Sequence, residues 1–248
     1  PSYNCSKYIK RCLMSIKAQN YNNMRVCVID DASDDEHKNI CSKFCKKMNW
    51  TLIRNDTNMG ALYNIVMGIN IMKPKDDDII VLLDGDDFII DNTLNILDFY
   101  YDHNILITYG NFLYNLDDNH DIFGYSNNQL ETGSYNITEN IIENKSYRES
   151  NILFSHLRTF RYKLWKEIKD DDLRFKDGDD KGKYYDVAWD WSFMFPMLEM
   201  AGKNIKFIDI PIYRYNISNP YNDFKIKKDK QYIVGEIIKK LKKYDTLY

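Results

Sequence analysis

The chain has no long apolar run. Its longest stretches, such as Ile79 to Leu83, fall far below the roughly 20 residues that cross a bilayer. It has little charge imbalance either: 34 basic against 37 acidic residues give a formal net charge of -3. That is no electrostatic case for wrapping nucleic acid or lying on an anionic membrane, and a small polar substrate suits it better. The five cysteines all fall between Cys5 and Cys45, are odd in number and form no CxxC pair. Neither a disulfide framework nor a zinc site follows, and they read as reduced structural thiols in a cytoplasmic setting. Asn-x-Ser/Thr triplets at Asn4, Asn55, Asn136, Asn144 and Asn216 are expected by chance in so asparagine-rich a chain, and do not argue for secretion. There is no internal repeat and no signal-like segment, and a start at Pro1 without Met reads as one domain of a longer polypeptide.

What is present suits an enzyme-sized core: 248 residues, 44% apolar and 15% aromatic, enough for one large domain or two fused halves. After Ser6, the residues Ile9, Cys12, Leu13 and Ile16 share one helical face. "RVCVIDD" reads as a buried strand ending in carboxylates, and Ser33 with Glu36 as a capping box opening the next helix. "WTLIRN" follows as a strand, then a helix with Leu62, Ile65, Val66 and Ile69 on one face, then the near-continuous apolar strand "DIIVLLD". "DNTLNILDFYYD" and "ILITYGN" continue the alternation to about Asn111. Such alternation predicts an α/β fold with a parallel sheet whose ligands lie beyond the strands' carboxyl ends. Beyond Asn111 the pattern is irregular: polar loops from Asp117 to Ser150, a strand and helix at "HLRTFRYKLWKEI", a helix around "DVAWDWSFMF", where Pro196 is expected to kink or restart it, and a strand "IKFIDIPIYRYN". Lys228 to Tyr248 reads as a lysine-rich helix with Ile233, Ile237 and Leu241 on one face.

The tetrapeptide DGDD occurs twice, at Asp84–Asp87 and Asp177–Asp180. Asp84, Asp86 and Asp87 directly follow a buried strand, so a rigid element would present hard oxygen ligands at the sheet edge, as a divalent cation requires. The second copy sits among Lys176, Lys181 and Lys183 with no strand leading in. Lys181 at a ligand position and Ala188 in place of a closing glutamate argue against a calcium loop, so this copy reads as a surface loop.

"PSYN" at Pro1–Asn4, "VIDDASDD" at Val28–Asp35, "NMGALYNIVMGI" at Asn58–Ile69, "LLDGDDF" at Leu82–Phe88 and "WDW" at Trp189–Trp191 together resemble the inverting GT-A glycosyltransferases of family 2, in family order over most of the chain. The resemblance implies a GT-A fold with a Rossmann-like, mostly parallel central sheet flanked by helices. It also implies an apolar first strand ahead of "PSYN" that is not among these residues. Residues 1–115 would form the nucleotide-sugar half, 116–217 the acceptor half and 218–248 a C-terminal helical segment of a single domain. "HLRTFR", "FPMLEMAG" and "YRYNISNPYND" more faintly resemble glycosyltransferases of large DNA viruses, some linked to collagen modification.

By that resemblance Pro1, Tyr3, Asn4, Asn58, Gly60, Asn64 and Asp86 line the nucleotide, and Asp31 accepts the uracil N3 hydrogen; otherwise Asp30 and Asp31 form a helix-capping turn. Asp84, Asp86 and Asp87 would hold Mn²⁺ or Mg²⁺ against the donor diphosphate. Asp190 takes the position of the catalytic base between Trp189 and Trp191, whose rings would wall the acceptor, and Asp186 is its rival. His156 and Arg158 would line the acceptor or diphosphate pocket, while His37, His103 and His120 read as surface residues. Family members often carry a basic residue where this chain has Tyr63, so Arg54, Arg158 or Arg161 is left to balance the diphosphate. The implied reaction is single displacement by a hydroxyl of a glycan or protein acceptor on a UDP-sugar. A nucleotidyltransferase would need a glycine-rich basic loop that "PSYNCSKYIKRC" lacks. A non-catalytic sugar-nucleotide or glycan-binding module is the other alternative.

Overall fold

The computed structural model describes residues 1–115, 131–132, 134–150, 154–220 and 227–248. His120 and the end of "YRYNISNPYND" from Tyr221 lie outside them, as do residues 117–130 and 133 of the polar stretch after Asp117. The first half runs α1 (Ser6–Lys17), β1 (Cys27–Asp30), α2 (Asp35–Met48), β2 (Thr51–Arg54), α3 (Ala61–Met72), β3 (Ile79–Leu82), β4 (Phe88–Ile89), α4 (Thr93–Tyr101) and β5 (Ile107–Asn115). The second continues with β6 (Glu131–Thr132), α5 (Glu139–Glu143), β7 (Ser155–Arg161), α6 (Tyr162–Trp165), a 3-10 turn at Asp170–Leu173, α7 (Trp189–Ala201), β8 (Ile205–Asn216) and α8 (Lys228–Lys239).

The expected α/β frame is present, but its sheet is mixed rather than mostly parallel. β1 and β2 pair in parallel as a small sheet. The larger sheet has the order β3-β7-β5-β8-β4, with β6 on β5. Among its described pairs β5–β8 alone is parallel; β3–β7, β4–β8, β5–β6 and β5–β7 are antiparallel. The cause is that β7, from the irregular second half, inserts antiparallel between β3 and β5. Gly110 permits the tight packing of β5, since a Cβ there would lie 2.9 Å from the Ile208 carbonyl oxygen. A cavity of about 620 Å³ runs between the edges of β1 and β3, lined by apolar residues such as Val28, Ile65, Ile69 and Val81.

Two corrections come from the helix termini. Asp34, not Ser33, caps α2, its carboxylate accepting from the His37 N–H at 2.9 Å. In α8 the buried stripe is Val234, Gly235 and Ile238, leaving Ile233 and Ile237 exposed. Helix α7 is buried all round from Ser192 to Ala201 and runs through Pro196 without a break. Packing there outweighs the roughly 3 kcal/mol that an interior proline costs. Glu199 on this helix is fully buried and carries a two-bond pair with Arg148, 2.6 and 2.9 Å, while Arg148 also donates to the Ile238 carbonyl. That network ties α7 to the end of α8.

His37 is the clearest reversal: read as a surface residue, it is fully buried. Its Nε2 lies 2.9 Å from the Ser2 hydroxyl and 3.4 Å from the Cys41 thiol, within a cluster of Cys5, Cys12, Cys41 and Cys45. The period of α2 puts His37, Cys41 and Cys45 on one inward face, a signal that the polar identity of histidine hid. Burial lowers the His37 pKa below its ordinary value. The unfolded chain therefore binds a proton that the folded chain resists, and this contribution to stability is lost as pH falls below the unfolded value of about 6.5. Chemical denaturation from pH 8 to 5 should show a decline that His37→Gln flattens; an equally steep decline in that variant would assign it elsewhere.

Candidate active site

The DGDD loop after β3 is held from two sides. The Gly85 N–H donates to the Pro1 carbonyl at 3.1 Å, while Ser2 bonds backbone to backbone with Ile29 and Asp31. Only glycine fits there, because a Cβ on Gly85 would stand 2.5 Å from that of Ser2. Pro1 and Ser2 are thus wedged between the end of β1 and the acidic loop. Asp87 is buried, accepting from the Tyr213 hydroxyl and from the Asn216 N–H at 2.7 Å. Asp86 accepts from the Asn219 amide at 2.7 Å, and burial pushes its carboxyl up to about 6.

Asp84, Asp87 and His156 each offer one donor atom, and these three atoms lie within 4.8 Å of one another. His156 is the second residue of β7, and its ring stacks on Tyr213 at 4.6 Å. Burial, reinforced by the Arg158 charge, lowers its pKa well below the ordinary value, keeping the imidazole neutral with a lone pair to offer. Burial raises the Asp87 carboxyl well above its ordinary value, and the other two aspartates of the loop add to this. A cation held by these atoms would reverse the penalty, and two carboxylates with an imidazole are a donor set suited to a first-row divalent metal. The sequence grouped Asp84, Asp86 and Asp87; the donor atoms that lie together are those of Asp84, Asp87 and His156, while Asp86 is bonded to Asn219. The other DGDD is a surface turn, with Asp180 paired to Lys183 at 2.9 Å.

Along β7, His156 and Arg158 share a face by strand alternation. Arg158 donates to Asp190 at 2.7 Å, and its other terminal nitrogen lies 3.4 Å from His156 Nδ1. Its Nε is buried with no partner among the described residues. Asp190 stands in the first turn of α7, where the helix dipole favours a carboxylate. Asp186 precedes that helix and is paired with Lys230 at 2.7 Å. Trp189 lies under the Arg158 guanidinium at 6.0 Å. Trp191 instead packs on Phe195 and against Gly235 of α8, under Lys239, so it braces the C-terminal helix. Of the three candidate arginines, Arg54 binds Asp30 and the Ser33 carbonyl, and Arg161 binds the carbonyls of Asp77, Tyr101 and Ile105. Arg158 is the one whose charge enters the site.

On the β1 side, Asp31 is buried and organises a loop: Oδ1 accepts from Asn55 at 2.7 Å and from the Met59 N–H at 2.8 Å, and Oδ2 from the Gly60 N–H at 2.9 Å. Gly60, at φ +85°, starts α3. Asn64 is fully buried, bonded to Asn55 through its oxygen, with its nitrogen unpartnered among the described residues. Asn4 accepts from the Asp34 N–H, and Tyr3 and Asn58 are exposed. Asn55, Tyr213 and Asn219 are site residues that sequence reading missed; their partners are remote, and no local spacing announces them.

The sequence profile described as Glycosyl transferase family 2 matches residues 1–169. Glycosyltransferase GlyG of Streptococcus pneumoniae is 31% identical over 98 residues, 39% of this chain and 32% of that protein. The poly(ribitol-phosphate) β-N-acetylglucosaminyltransferase TarS of Staphylococcus aureus is 30% identical over 99 residues, 38% of this chain and 16% of that protein. The chain thus spans a third or less of these relatives. Among solved structures, TarS 1-349 in complex with UDP-GlcNAc superposes with a TM-score of 0.62 at 20% identity, covering 96% of this chain and 63% of that one. A mannosyltransferase of Pyrobaculum calidifontis in complex with GDP-Man and Mn²⁺ gives 0.59 at 15% identity, covering 98% and 63%. The fold is of the GT-A type, as its motifs imply. The chain belongs to glycosyl transferase family 2.

Proposed function

We propose that the chain is a metal-dependent, inverting glycosyltransferase that moves a hexose unit from a UDP-sugar to a hydroxyl of a glycan or protein acceptor. The observation that carries this reading is the convergence of Asp190, held by Arg158, on the cluster of Asp84, Asp87 and His156. A general base and an anion-stabilising centre, joined by one guanidinium, are what displacement of a diphosphate needs. The UDP-GlcNAc complex of TarS supports the donor class, and the Mn²⁺ in the archaeal neighbour supports the metal.

In this reading the acceptor hydroxyl gives its proton to an Asp190 carboxylate oxygen as its own oxygen bonds the anomeric carbon. The bond from that carbon to the phosphate oxygen breaks, UDP leaves with the electron pair, and the configuration inverts. Asp84, Asp87 and His156 would hold Mn²⁺ or Mg²⁺, which when bound supplies Lewis-acid charge to the diphosphate. Arg158 provides further positive charge, and Asp86, tethered to Asn219, borders the donor. The donor half is residues 1–115; His156, Arg158 and Asp190 come from the acceptor half. The buried unpaired thiols suit a cytoplasmic setting.

A thermal-shift screen of UDP- and GDP-sugars with and without Mn²⁺ tests the donor class, since a ligand at a hundred times its Kd adds about 2.7 kcal/mol to stability. Stabilisation by UDP-sugars, and UDP release on incubation, is expected. Preference for GDP-mannose would overturn the uracil assignment, and donor binding without any turnover would leave a non-catalytic module.

Base recognition has its own test. Three of the roughly four acceptor positions of the Asp31 carboxylate are taken within the protein, leaving one for a base N–H. Asp31→Ala should weaken UDP binding by about 1–3 kcal/mol and narrow its margin over CDP and GDP in competition. An unchanged preference would leave Asp31 with the loop alone.

A further inference from the structure

β5 and β8 run parallel with Phe112 opposite Tyr213 and Tyr114 opposite Tyr215. Alternate residues of a strand share a face, so these rings stand together, on the side where Tyr213 bonds Asp87. Phe112 lies 5.4 Å from both Tyr114 and Tyr215, and the two tyrosines are 6.0 Å apart. His156 joins them, 5.8 Å from Phe112 and 5.4 Å from Tyr215. Tyr213 is fully buried beneath His156. Phe112, Tyr114 and Tyr215 are only half-buried, and they adjoin the groups proposed for catalysis through His156.

We infer that this aromatic platform is the acceptor subsite and that the acceptor presents a pyranose ring to it; this rests on the glycosyltransferase reading above. The face of an aromatic ring is electron-rich, and one face of a pyranose offers a patch of polarised C–H groups that packs on it. A linear polyol phosphate has no such face. The platform therefore separates this chain's acceptor from a ribitol-phosphate polymer. It also moves the sugar-stacking role from Trp191, which braces α8, to β5 and β8.

The test is saturation-transfer NMR of methyl α- and β-glucopyranoside, methyl β-galactopyranoside and ribitol 5-phosphate on the protein, with UDP calorimetry on the same samples. The pyranosides should bind and the polyol phosphate should not. Tyr114→Ala and Tyr215→Ala should each weaken pyranoside binding by about fivefold to tenfold, with melting temperature and UDP affinity near the parent's, and Tyr215→Phe should retain binding. Binding of ribitol 5-phosphate in preference to every pyranoside overturns the inference, as does pyranoside binding that neither alanine variant changes. Pyranoside binding that depends on the platform in a protein that ignores UDP would uphold the platform and sink the donor reading.

Discussion

Asp190→Asn should bind UDP and Mn²⁺ with near-normal affinity and transfer sugar roughly 10²–10⁴-fold more slowly, the range typical of losing a general base. The amide keeps the side chain's shape, and its oxygen can still accept from Arg158, so the 2.7 Å contact that orients the residue survives. What disappears is the ability to take the acceptor's proton at neutral pH. Asp186→Asn is the control: that carboxylate precedes α7 and is neutralised by Lys230, so its loss should change transfer little. Calorimetry for UDP with Mn²⁺ and product formation, run on both variants, separate binding from chemistry. Parent-rate transfer by Asp190→Asn beside a collapse in Asp186→Asn would move the base four residues upstream. Parent rates in both would remove the inverting mechanism.

The parts of this molecule that could be read from sequence are those in which local period and burial agree. Helices α1 and α3 and strands β1 and β3 fall where their apolar residues put them, and α2 and β2 follow in the order their turn signals announce. The DGDD on a strand end could be told from the DGDD among lysines for the same reason: the element before it determines whether its carboxylates are fixed or solvated. What stayed hidden depends on partners far along the chain. Asp31 pairs with Asn55 and the Met59 and Gly60 N–H groups, Asp87 with Tyr213 and Asn216, and His37 with Ser2. The aromatic platform exists only through the β5–β8 register, which joins residues about a hundred positions apart. Antiparallel insertion of β7, too, brings His156 to Asp84, where no spacing rule could have placed it.

Replacing Asp84 by Asn or His156 by Ala should abolish the Mn²⁺ dependence of UDP-sugar binding and lower transfer by about 10³-fold or more, since a Lewis-acid cation contributes several kcal/mol at a leaving diphosphate. The two residues approach the same point from β3 and β7, so removing either leaves an incomplete donor set. Asp179→Asn should leave metal dependence intact, because it changes a solvated turn. Asp87→Asn is expected to behave differently from Asp84→Asn: the Tyr213 hydroxyl and the Asn216 N–H each donate to one oxygen of Asp87, and an amide keeps one acceptor oxygen but sets an NH₂ donor where the second acceptor is needed. Its melting temperature should fall along with its metal affinity, whereas Asp84→Asn should lose the metal and hold its fold. Mn²⁺ titration by calorimetry beside thermal denaturation of these four variants and Asp86→Ala tells these cases apart. If Asp179→Asn alone lost the metal, the cation would belong to the second DGDD. If His156→Ala kept full Mn²⁺ affinity while Asp86→Ala lost it, the ligand set would revert to the three aspartates of the loop, and His156 would serve only as a ring in the aromatic stack.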